Sequence, residues 1–203
     1  MEACVRKFPL ILAGLFALLW GVLAIEPAFR DVWWAENIPV MFVFGLLVVT
    51  YPRFQFSNTA YILMACWLVL HTIGGHYTFS NVPFDFVSEF FGFERNHFDR
   101  MGHFTVGFYA FPAAELMTRN RSAARWVVYC CSLFFIMAVA AGYEIIEWWY
   151  AVAEGGDAGI AVLGSQGDIW DAQKDMLSDT LGAITALLLF AVVGKRNTYG
   201  KSI

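Results

Sequence analysis

The stretch NHFDRMGHFTVGF, residues 96–108, decides how this chain is read. It opens an apolar run that suits a membrane crossing, yet it sets His97, Asp99, Arg100 and His103 within seven residues at the point of entry. An ionised group at the centre of a membrane helix costs about 2.5–3.5 kcal/mol on insertion scales, and less near the interface. Such groups are expected to face one another or a wet pocket, because lipid would not tolerate several together.

The rest of the sequence supports a membrane setting. Of 203 residues, 59% are hydrophobic, 18% aromatic and only 15% charged, against about 25% charged in a soluble domain. A crossing needs roughly 20 mostly apolar residues. The apolar runs 9–25, 38–51, 59–73, 102–117, 126–150 and 176–194 therefore predict an all-α, six-span transmembrane bundle forming one integral domain over 1–203. The second and third runs are short and should extend into their polar flanks. The N-terminal MEACVRKFPLILAGLFALLWGVLA resembles a signal peptide. Its apolar run is long for that role, and no small-x-small site precedes Glu26 and Pro27, so it reads as the first span.

Nine of the thirteen Lys and Arg fall on one side of this arrangement: Arg6, Lys7, Arg53, Arg119, Arg121, Arg125, Lys195, Arg196 and Lys201. The positive-inside rule puts that side, and both termini, in the cytoplasm. All four histidines and most acids fall on the outer side. With a net charge of −4 there is no basic patch for nucleic acid. Cys4, Cys66, Cys130 and Cys131 have no metal-type spacing and read as packing residues.

Depth follows from a rise of 1.5 Å per residue. Counting from Arg119, His103 lies about 6 Å below the outer surface of the hydrocarbon, and Asp179, counted from Gly194, about 8 Å below it. In GDIWDAQKDMLSDTLGA, Asp168, Asp171, Asp175 and Asp179 follow steps of three, four and four. They form one narrow stripe that Gly182 and Ala186 continue, and small residues there admit another helix closely. Glu144 and Glu147 share a face at i, i+3, and Asp99 and His103 at i, i+4. Three helices thus present polar stripes at one depth, which predicts a shared outward-facing pocket. The loop 74–100 is Phe-rich with scattered acids and should lie in the outer interface as a lid, with His76 over the mouth.

No HExxH, P-loop, Rossmann or nucleophile-elbow pattern is present. The candidate chemistry is a carboxylate–imidazole cluster, suited to acid–base work or to a divalent metal such as zinc, manganese or iron. In this reading Asp99, His103, Glu144 and Asp175 are catalytic. His103, Asp171, Asp175 and Asp179 are metal ligands, while His76, His97, Arg100 and Glu147 contact substrate. Each residue also has a plainer role open to it. Asp168 suits an N-cap, Lys174 can neutralise Asp171, Arg100 can neutralise Asp99 or an acid of the last span, and Glu115 can pair with Arg119 at i, i+4.

The blocks HTIGGHYTFSNVPF, FGFERNHFDRMGHFTVGF, YEIIEWW and LGSQGDIWDAQKDMLSDTLGA, in this order, resemble the YjdF family of bacterial inner-membrane proteins, a family of unknown function. The resemblance implies a multi-pass inner-membrane protein and assigns no activity. DRMGHF, with Asp175, Asp179 and Gly182, is also similar to the D-[KR]-x-x-H-F pattern and later acidic and glycine positions of VanZ-like membrane proteins, although Asp179 stands where Asn is common there. That similarity, to proteins linked to glycopeptide resistance, implies a pocket near envelope lipids. The expected function is binding or processing of an envelope lipid or other amphipathic molecule, with membrane lipids as partners and a divalent metal as candidate cofactor. A proton- or cation-coupled transporter and a non-catalytic assembly factor are the alternatives. The sequence identifies no protein partner.

Overall fold

The computed structural model describes residues 7–121 and 123–199, with the side chains of 194–199 left aside. Arg6 and Lys201, which entered the charge count, and Cys4 lie outside what is described, as do the side chains of Lys195 and Arg196. The described residues form helices and turns without strands.

α1 (Lys7–Leu23), α2 (Arg30–Thr50) and α3 (Asn58–Tyr77) form one group, with α3 packed on the other two. Ser57 starts α3 by accepting the Ala60 N–H on its hydroxyl. α4 (Asp85–Phe91) is a short helix that stops at Gly92, whose φ of +68° only glycine adopts freely. α5 (Phe98–Val106) and α6 (Ala110–Arg119) are joined by a 3-10 turn over Gly107–Tyr109. α7 (Arg125–Glu154) and the short α8 (Gly156–Leu163) lead to α9 (Asp171–Tyr199), which packs against α5, α6 and α7. α3 also packs on α5 and so joins the two groups.

Four of these helices are long and apolar enough to cross a membrane: Arg30–Thr50, Asn58–Tyr77, Arg125–Glu154 and, within α9, Asp171–Val193. α2 begins eight residues ahead of its apolar run, so its polar flank Arg30–Asn37 is helical, and α3 continues to Tyr77. The run 102–117 does not form the single helix expected of it. The break has two physical causes. Pro112 has no N–H to give the carbonyl of Phe108. Gly107 also lies so close to α9 that a Cβ on it would strike the backbone of Asp179, Gly182 and Ala183. Gly182 is pressed in return against the carbonyl of Phe104. Two facing glycines thus bring α5 and α9 to backbone contact, as small residues do between membrane helices.

The largest apolar cluster fills the end of the bundle away from the histidines. Ala60, Tyr61 and Met64 of α3 meet Phe111 of α6, Ile136 of α7 and Leu187 of α9. At that end Arg119 Nη1 donates to the Gln55 carbonyl at 2.6 Å, tying the α6–α7 turn to the α2–α3 loop. Glu115 bonds Arg119 at 3.0 Å and accepts from the N–H and hydroxyl of Ser57. At the opposite end the Ala28 N–H donates to the His76 carbonyl, tying the α1–α2 turn to the end of α3. Cys66 is half-buried on α3, whereas Cys130 and Cys131 are exposed on α7, so two of the described cysteines do not pack in the core.

Candidate functional site

The contact between Gly107 and Gly182 positions everything above it. With α5 held against α9, the stripe Asp168–Asp171–Asp175–Asp179 runs directly past Asp99, Arg100 and His103. Its upper part is neutralised by cations. Arg95 Nη1 lies 2.5 Å from Asp171 Oδ1 and 3.6 Å from Asp168 Oδ2. Arg100 Nη2 bonds Asp168 Oδ2 and Asp171 Oδ1, each at 2.9 Å. Lys174 reaches Asp168 at 2.6 Å, and not Asp171 as the i, i+3 spacing suggested. Asp168 also accepts the Trp170 N–H, in the capping role open to it. The bonds from Lys174 and Arg100 hold the Asp168 carboxyl well below the usual carboxylate range.

The lower part is different. His103 Nδ1 lies 3.0 Å from Asp179 Oδ2. An ionised carboxylate only accepts, which assigns the hydrogen to Nδ1. His103 Nε2 then faces Asp99 Oδ1 at 3.7 Å and Glu144 Oε1 at 3.8 Å, both beyond hydrogen-bond distance. Asp99, His103 and Asp175 each present a donor atom within 4.8 Å of the other two, and all three residues are buried. Glu144 Oε1, Asp175 Oδ1 and Asp179 Oδ1 are buried with no hydrogen-bond partner among the described residues. Arg100 Nε lies 3.5 Å from Asp175 Oδ1 as an ion pair without bonding geometry.

Not every residue singled out from sequence joins this group. His76 turns away, and its Nδ1 meets the Leu23 carbonyl at 2.9 Å. His97 precedes α5 and stacks edge-on to Phe93 at 4.6 Å between centroids. Partial burial, then Arg100 and Arg95, push its pKa below the ordinary histidine value. Glu147 lies one turn beyond Tyr143 on α7 and lines a cavity described below.

Two participants carry no motif and were missed. Arg95 sat in the loop as one charge among others, and it braces Asp171 while donating to the Ser165 carbonyl. Glu36 and His71 form a second buried polar group. His71 Nε2 lies 3.2 Å from Glu36 Oε2, and the Tyr143 hydroxyl donates to that same oxygen at 2.8 Å. A helix needs about 20 residues to cross. Extending the short second run to that length would have drawn Glu36 into it.

A cavity of about 820 Å³ connects these groups to the apolar interior. His71, Asp99, His103, Glu147 and Asp179 line one end. Phe42, Val43 and Leu46 of α2 face Phe135, Ile136 and Val139 of α7 along the remainder. Phe42, Leu46, Phe135 and Val139 are exposed, so the cavity is a cleft open between the two helices. α2 and α7 are linked across it at the polar end by Tyr143 and Glu36.

Across residues 8–196 the chain matches the family model described as "Predicted membrane protein (DUF2238)". The chain belongs to that family. It is 38% identical over 166 residues to the inner membrane protein YjdF of Escherichia coli (strain K12), covering 78% of this chain and 77% of that protein. No solved structure matches it. With its several apolar helices, this member of the DUF2238 family is a multi-pass inner-membrane protein.

Proposed function

We propose that this protein binds, and through His103 and Asp99 processes, an envelope lipid or similar amphipathic molecule. The chain of the ligand lies in the cleft between α2 and α7, and its head group lies against His103, Asp99 and Glu147. The observation that carries this reading is the continuity of the cleft, which is apolar along most of its length and ionisable at one end. Its volume of about 820 Å³ falls within the range of about 300–1,000 Å³ typical of ligand pockets. Its side opening gives a membrane-dissolved molecule entry without passage through water. The likeness of DRMGHF to the VanZ-like pattern favours the same class of ligand.

The same proposal includes six crossings, with α1 and the broken run α5–α6 completing the four long ones. Both termini face the cytoplasm and the histidine cluster faces outward. The tie from Arg119 to the α2–α3 loop supports this, because it gathers Arg53, Arg119, Arg121 and Arg125 at the end away from the histidine–carboxylate cluster. Ion transport would need a polar route to that end. The cleft offers little there beyond Thr50, Tyr109 and Ser132.

Native mass spectrometry of mildly extracted protein tests the binding step. Wild type should carry one amphiphile, identifiable on release. Ala140→Phe, which fills the cleft from α7, should lose it while remaining monodisperse. Wild type that carries none after incubation with bacterial polar lipids, or a variant that retains it undiminished, would contradict the reading.

A further inference from the structure

We infer that Asp99, His103 and Asp175 form a centre for one divalent transition-metal ion, with Asp179 as a positioning residue that is not itself a ligand. The inference concerns the head-group end of the cleft, but it stands on donor geometry and is independent of what fills the apolar part.

Three observations support it. The first is the histidine. Its Nδ1–H is held by Asp179 at 3.0 Å, which leaves the Nε2 lone pair directed toward Asp99 and Glu144. A ligating imidazole usually donates its other N–H to a carboxylate in this way, which fixes both tautomer and ring orientation. The second is spacing. Nε2 stands 3.7 Å from Asp99 Oδ1, and Asp99, His103 and Asp175 each present a donor atom within 4.8 Å of the other two. The 3.7 Å gap is too long for a hydrogen bond, and it suits donors that each lie about 2.0–2.2 Å from a shared ion. The third is the lack of partners. Asp175 is 2% exposed, and its Oδ1 accepts no hydrogen bond among the described residues, as is also true of Glu144 Oε1. A buried charge is normally paired or bound to a metal.

The nearby cations do not fill this need. Arg95 and Arg100 are engaged with Asp168 and Asp171, and Arg100 reaches Asp175 only through Nε at 3.5 Å. Four carboxylates therefore surround one imidazole with half a guanidinium to spare. Asp171, bonded by both arginines, is not a ligand of the centre. Mixed oxygen and nitrogen donors without sulfur suit zinc, manganese(II) or ferrous iron.

Elemental mass spectrometry on the full-length, detergent-purified chain reads the ion directly, before and after dialysis against each of the three metals. Wild type should hold about one ion per chain. His103→Gln and Asp175→Asn should each reduce binding at least tenfold. Asp179→Asn should weaken affinity about 10- to 100-fold, as loss of an orienting partner does. Lys174→Ala should leave the stoichiometry unchanged. X-ray absorption of the wild type should show one imidazole nitrogen with oxygen donors, a result that does not depend on any variant folding. Monodisperse wild type that binds no ion after resupply would overturn the centre. An ion that survives both ligand substitutions, or one without an imidazole, would also overturn it. Any amphiphile is counted in the same preparation, so loss of the ion with the lipid retained, or the reverse, separates this centre from the proposed binding function.

Discussion

Asp168 and Asp171 lie above Asp175 and Asp179 on one stripe, and the two pairs have opposite surroundings. The upper pair is met by Arg95, Arg100 and Lys174, with contacts of 2.5–2.9 Å and a longer one of 3.6 Å. The lower pair meets His103, other carboxylates and, at 3.5 Å, only the Nε of Arg100, and each of its residues retains an oxygen with no hydrogen-bond partner among the described residues. The upper pair behaves as a brace that fastens the loop before α5 to the start of α9. The lower pair keeps those unpartnered oxygens beside His103, near the polar end of an apolar cleft. Bilayers offer helices little hydrophobic reason to associate, so a charged brace on one side and a glycine contact on the other hold a cluster that would otherwise repel itself.

Asp171→Asn tests this division most severely. It leaves two half-buried guanidiniums short of a partner, and breaking such a pair costs about 3 kcal/mol. A fall in the thermal midpoint in detergent is the expected result. Gly182→Val separates α5 from α9 and should cost about 2 kcal/mol through overpacking. It should also displace His103 from Asp179, visible as a shift of the His103 imidazole resonance. Lys174→Ala removes an ion pair whose lysine is 46% exposed. That should cost under about 1 kcal/mol, and the cost should shrink further in high salt.

The smallest effect concerns pH. Asp168 titrates below its unfolded value of about 3.9 because Lys174 and Arg100 bond its ionised form. Its contribution is therefore complete above that value and is lost as pH falls beneath it. Stability should be flat from neutrality to about pH 5 for this group. The acid-side decline should be shallower in Asp168→Asn, as unfolding scans at several pH values would show.

The stripe and its neighbour were legible in the sequence, and the division was hidden for physical reasons. The steps of three and four from Asp168 to Asp179 gave one helical face, and Gly182 marked where a neighbour would come close. Asp99 and His103, one turn apart, supplied that neighbour. Periodicity does not reveal which acids a loop cation will reach. Arg95, some 70 residues before its partners, therefore carried no signal, and the partner that spacing offered Asp171 was Lys174, which bonds Asp168 instead. The break at Gly107–Tyr109 was hidden because Pro112 and Gly107 both fit an apolar run, and only contact with α9 shows that they interrupt it. Glu36 lay outside the run scored for its span, so its pairing with His71 and Tyr143 was invisible.

The most direct test sets Asp171→Asn beside Asp175→Asn and measures thermal midpoint and bound divalent ion in both. The account predicts that Asp171→Asn loses stability yet keeps its ion, while Asp175→Asn keeps or gains stability and loses the ion. If the two variants lose stability and ion together, or if the pattern is reversed, the stripe is not divided into brace and site.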